Sequence, residues 1–155
     1  MKKTAKTIAL CLVLTLAFLL VACKSEEPPI PSGDEGDTLT LVIEGDFITE
    51  YTVPLSNFDT SAGVLGLIAY LSDTGALSYE MNGTMLSKIG ELTDGDGGKY
   101  IYVFTTISSE TDVSQYAKTV EYNGMTITSA GYGISSLTVA PSTVIYITLV
   151  EFSWE

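Results

Sequence analysis

In the stretch "GVLGLIAYL", Gly63 to Leu71, the apolar residues Val64, Leu65, Ile68 and Leu71 fall on one face of a helix. The segments before and after it carry the two-residue period of strands. An amphipathic helix must bury its stripe against another layer, and here the only layer on offer is a sheet. Asp59, Thr60 or Ser61 can cap its start, and Gly75 is placed to end it in the left-handed conformation.

The strands can be read from the same alternation. Leu39, Leu41 and Ile43 alternate with Thr38, Thr40 and Glu44, as in a half-buried strand. Gly45-Asp46 predicts a two-residue turn with the glycine at positive φ. Phe47 to Val53 is the returning strand, ended by Pro54. Leu77 to Leu92 reads as one or two short strands broken at Asn82-Gly83. Tyr100 to Phe104 is apolar on both faces, which predicts a central strand. Asp112 to Lys118 is a short helix or a loop. Asn123-Gly124, between Thr119–Tyr122 and Met125–Thr128, predicts a type I′ hairpin. Val144 to Trp154 is a long closing strand. This order predicts an α+β fold: a mostly antiparallel sheet with one main helix packed on one face, in a β-grasp arrangement.

The amino terminus does not belong to that domain. Met1 to Lys6 is cationic, and Ile8 to Ala22 is a 15-residue apolar run. That length suits the core of a signal peptide and falls short of the ~20 residues of a membrane span. The run closes in Leu20-Val21-Ala22-Cys23, which resembles the lipobox of bacterial lipoproteins. The resemblance implies that residues 1–22 are removed and that Cys23 carries the lipid. A plain secretory signal with an incidental cysteine is the other reading, and both place the chain outside the cytoplasm. Residues 23–37, from the lipidated Cys23 through "KSEEPPIPSGDEGD", hold one apolar residue after the cysteine and read as a disordered tether. Thr38 to Glu155 is then a single domain. Cys11 lies in the removed segment, so the domain has no thiol and its fold rests on its apolar core.

Charge excludes one class of partner. After Cys23 there are 19 acids against four lysines (Lys24, Lys88, Lys99 and Lys118), a formal charge of −15, with no arginine or histidine. Such a surface repels phosphate backbones, so no nucleic-acid partner is expected. Without histidine there is no Ser-His or Cys-His nucleophile and no imidazole metal site. Asp73-Thr74-Gly75 matches the aspartic-protease tripeptide, but it follows a helical period and has no second copy; a helix end explains it better. Asp94 and Asp96 have calcium-loop spacing, yet Thr105 stands where the loop needs a glutamate. No catalytic residues, metal ligands or cofactor are therefore assigned, and the chain is not expected to be an enzyme.

The segments "GVLGLIAYL", "LSYEMNGTMLSKIGEL", "YIYVFTT", "VEYNG", "SAGYGISSLTV" and "VIYITLVEFSW" together resemble the transcobalamin-like C-terminal domain family. These are bacterial domains related to the cobalamin-capping domain of transcobalamin and intrinsic factor. The resemblance covers nearly all of Thr38 to Trp154. It implies a β-grasp fold that binds a soluble ligand, with a corrinoid as one possibility. It departs from the family at Thr119 and Val120, where a large aromatic often precedes the Asn-Gly hairpin. The helical domain that supplies the other half of the ligand site in transcobalamin is also missing. The resemblance places a ligand against the hairpin and the following loop, at Tyr122, Asn123, Gly124, Gly131, Tyr132, Gly133 and Ser135. Two functions are expected from this reading. The first is a lipid-anchored extracytoplasmic protein that binds a small molecule. The alternative is a cell-surface interaction or adhesion module that uses sheet edges or the aromatic hairpin. A concave pocket near Tyr132 would favour the first; a flat aromatic patch or an unprotected strand edge would favour the second.

Overall fold

The alternation Leu39-Leu41-Ile43 places three fully or nearly buried side chains on one face of β1 (Thr38–Glu44), in a computed structural model that describes residues 37–151. The expected signal peptide, Cys23, the tether up to residue 36 and Trp154 lie outside these residues. The described residues belong to the compact unit Asp34–Glu155. β2 (Ile48–Pro54) returns antiparallel to β1 in full register. The turn between them differs from expectation. It has three residues, and Gly45 is not among the positive-φ glycines. A Cβ there would displace the Glu91 carboxylate, the end of a flexible side chain that accepts the Asp46 N–H at 3.1 Å.

The helix α1 (Gly63–Asp73) forms where its period predicts. Its buried stripe is Val64, Leu67, Ile68 and Leu71, with Leu65 half-buried at the border. Each of these buried side chains contributes about 1.5–3 kcal/mol. Asp59 caps the preceding 3₁₀ turn, Thr60–Ala62, by accepting the Ser61 N–H and hydroxyl at 2.9 and 2.7 Å. Those bonds hold the Asp59 carboxyl below its usual range. Gly75, at φ 75°, ends the helix, and the Ala76 N–H returns to the Leu71 carbonyl at 2.9 Å. Thr74 donates its hydroxyl to that same carbonyl, so Asp73-Thr74-Gly75 is a helix end.

Leu77 to Leu92 gives three short strands: β3 (Tyr79–Asn82), β4 (Met85–Ile89) and β5 (Leu92–Thr93), which form a separate small sheet. β6 (Lys99–Thr105) is central, as its composition predicts. Thr111 to Lys118 is a loop apart from a bridge at Thr111. β7 (Thr119–Tyr122) and β8 (Met125–Ser129) form the expected hairpin, with Asn123 at φ 49° and Gly124 at φ 76° as a type I′ turn requires. β9 (Val144–Glu151) closes the fold.

The main sheet has the order β2-β1-β9-β6-β8-β7. Four of its neighbouring pairs are antiparallel; β1 and β9 are parallel, so the sheet is mixed. Its first face carries Leu41, Ile43, Ile145 and Ile147 into the larger core. That core is closed by α1, by Leu86, Ile89 and Leu92 of the small sheet, and by Ile134 and Leu137.

The second face has its own cover. The hairpin pairs with β6 only at Phe104↔Ser129 and Thr105↔Thr128. Beyond that it leaves the sheet and lays Tyr122 and Ile127 over Val42, Phe104, Val144 and Tyr146. The Tyr122 and Tyr146 rings meet edge to face at 5.7 Å. The Tyr122 phenol lies beside Glu50 on β2, at the opposite edge of the sheet.

Tyr146 is 3 % exposed, and its phenol lies beside Glu44. Burial, then the Glu44 carboxylate, push its phenol well above the ordinary value near 10. The folded protein therefore keeps this proton to higher pH than the unfolded chain. Its contribution is whole below pH ~10 and is lost as the pH climbs further. Urea unfolding at pH 8 and pH 11 should show a loss of stability at pH 11 that Tyr146→Phe reduces. An equal loss in both proteins would show that other groups govern alkaline unfolding.

Candidate functional site

The covers of the first face do not meet. Between the small sheet and the loop after β8, a cleft of about 240 Å³ opens over β6. Its floor is Ile101, Val103 and Ala130. One wall comes from the β3–β4 turn, with Thr84, Met85 and Leu86; the other comes from Tyr132, Gly133 and Ile134. The turn is Gly83-Thr84, with Gly83 at φ 63°, and it projects Met85 outward. Met85 is 67 % exposed and Tyr132 59 %. Two large apolar side chains that the core does not use therefore stand on opposite walls of the cleft.

Hydrogen bonds fix the Tyr132 wall. The Ala130 N–H donates to the Val103 carbonyl and the Gly131 N–H to the Glu110 carbonyl, both at 2.8 Å. Glu110, 8 % exposed, then accepts the Thr138 N–H at 3.0 Å and the Thr138 hydroxyl at 2.6 Å through Oε1. Its Oε2 is buried without a hydrogen-bond partner in the protein. At the end of the cleft, Asp94 accepts the Ile101 N–H at 2.8 Å. This bond uses the carboxylate that the calcium-loop spacing singles out. No group of three or more acids among the described residues is arranged to hold a metal ion.

The residues singled out from the sequence are divided by the sheet. Tyr132 and Gly133 line the cleft on the first face. Tyr122 belongs to the second-face core. Asn123 and Gly124 form the hairpin tip. Gly131 makes a close approach, but to the protein's own backbone: a Cβ there would sit 3.2 Å from the Thr111 carbonyl oxygen. Gly133 has open space around its Cα, and Ser135 is exposed outside the cleft. The hairpin and the 129–135 loop thus do not build one site. Sequence reasoning missed Met85 and Glu110. Asn82-Gly83 marked the turn that carries Met85, whereas nothing in the pattern set Glu110 apart from the other acids.

Chemically, the cleft can bury an apolar, ring-sized group and offer it the Tyr132 hydroxyl. Among the described residues no helix is long and apolar enough to cross a membrane. No family model, curated protein or solved structure matches this chain.

Proposed function

We propose that this chain is an extracytoplasmic lipoprotein, anchored through Cys23, whose domain binds a small molecule without transforming it. The observation that carries the reading is the cleft itself, with Met85 and Tyr132 exposed on its two walls. Apolar side chains kept in water at a concave site are an arrangement that ligand burial rewards. The topology supports a β-grasp: an opening hairpin whose first strand lies parallel to the last, with the intervening helix on one face.

Size constrains the ligand. Sites that enclose a drug-sized molecule measure ~300–1,000 Å³. A cleft of about 240 Å³ admits one ring or one edge of a larger ligand. A corrinoid would lie across its mouth and stay largely exposed, as it would against a capping domain without its partner.

The test is a titration with cobalamin and cobinamide, followed by calorimetry and by the corrinoid absorbance spectrum. The protein is the chain from Lys24 onward, which keeps the compact unit Asp34–Glu155 intact. Saturable binding is expected, weakened about tenfold by Tyr132→Ala, as for an aromatic anchor. Tyr122→Phe, on the opposite face, should leave it unchanged. Absence of heat and spectral change with both compounds would remove corrinoids as the ligand class.

A further inference from the structure

β2 ends the main sheet. Its seven residues pair with β1 without a register shift, and five of them are exposed. Natural edges are commonly blunted by lysine, by a bulge or by a covering element. β2 has no lysine and no bulge, and its proline stands at its last position. It is therefore a long, regular edge able to accept another strand.

A second pocket adjoins it on the first face. About 200 Å³ in volume, it is lined by Ile43, Phe47, Thr49, Tyr51, Leu77 and Glu91. Thr49 and Tyr51 are alternate residues of β2, so every second side chain of an added strand would pass over the opening. The Tyr51 ring is held in place by its hydroxyl, which donates to the Ala76 carbonyl at 3.0 Å. The walls are apolar and the one charge is Glu91. The ion pair found among the described residues joins Lys88 to Glu80, and no cation stands within 4 Å of Glu91, although Lys99 lines an adjoining pocket with it. Asp46 lines that adjoining pocket too, whereas Glu50, on the same strand edge, faces the second face beside Tyr122.

We propose that β2 docks an extended, basic segment of another protein by strand addition, with a lysine or arginine seated in this pocket. The stem of such a residue would lie along Tyr51 and Leu77 while its cation meets Glu91. Main-chain hydrogen bonds to the edge supply affinity and the pocket supplies selection. A second copy of this chain is the poorer occupant, because self-pairing would bring Asp46 and Glu50 of both copies to one edge. This surface shares no residue with the Tyr132 cleft and does not depend on it.

The test uses the peptide acetyl-Thr-Val-Thr-Lys-Val-Thr-Val-amide and a twin with glutamate in place of lysine. Each is titrated into the isotope-labelled chain from Lys24 onward while amide chemical shifts are recorded. The lysine peptide should shift Ile48 to Thr52 and Glu91 and bind at least about threefold more tightly than its twin, as a partly exposed ion pair gives. The preference should shrink with salt. Glu91→Gln, which keeps an acceptor for the Asp46 N–H, should bring the two peptides level. The proposal is overturned by unmoved β2 amides with both peptides or by equal affinities in the parent protein. It is equally overturned if sedimentation shows that the chain occupies β2 by dimerising.

Discussion

Replacing Cys23 with serine should abolish incorporation of fatty acid into the protein. The proposed anchor is the lipid on that thiol, and a serine at the same place cannot carry it. Each buried CH₂ of an acyl chain contributes ~0.8 kcal/mol. One chain holds marginally, whereas several hold firmly. The apolar run Ile8–Ala22 is 15 residues long, below the ~20 of a span. The segment after Cys23 brings 19 acids against four lysines, which anionic headgroups repel. Fractionation by ultracentrifugation, with incorporation of a labelled fatty acid, reads both halves of the claim. The parent should pellet and carry label; Cys23→Ser should carry none. A variant that is still labelled would sink the anchor, and a parent that is soluble and unlabelled would make the leader a plain secretory signal.

The local features of the fold were legible because short-range chemistry sets them. A 3.6-residue stripe can only be a helix face, although the deepest residue beside Ile68 proved to be Leu67, with Leu65 at the margin. Gly75 and Asn123-Gly124 were readable because left-handed backbone at those places admits few other residues. Gly45 was misread for the converse reason. Its small size serves Glu91, 46 residues on, and no turn rule contains that contact. The parallel pairing of β1 with β9 joins residues about a hundred positions apart and leaves no local trace.

The resemblance singles out Tyr132 and Tyr122 together, ten residues apart. Tyr132 lines a cleft. Tyr122 is a core residue of the other face. What separates them is the departure of the hairpin from β6 after two pairs. The departed hairpin packs Tyr122 on Tyr146, a contact that the alternation of β7 or β8 does not encode.

Phe104→Ala should cost about 3–5 kcal/mol, a large share of the ~5–15 kcal/mol that a domain of this kind has. The ring is fully buried on the second face, 6.3 Å from both Tyr102 and Tyr146, edge-on to the latter. Its loss removes apolar burial, leaves a cavity and dismantles two aromatic contacts of about 0.5–1.5 kcal/mol each. The variant also tests the architecture. If the hairpin is a true cover, Phe104 lies in a sealed core and should cost as much as a large core residue of the first face. Leu67→Ala, on the buried stripe of α1, sets that scale at about 2–5 kcal/mol. Val113→Ala, at a side chain 96 % exposed, should stay within about 0.5 kcal/mol. Urea unfolding of the three variants decides between two pictures. A cost near that of Leu67→Ala means the sheet is buried on both faces, one beneath the helix and the other beneath the hairpin. A cost below about 1 kcal/mol means the hairpin lifts away in solution, leaving an open aromatic face where Tyr146 and Tyr122 would no longer be held from water.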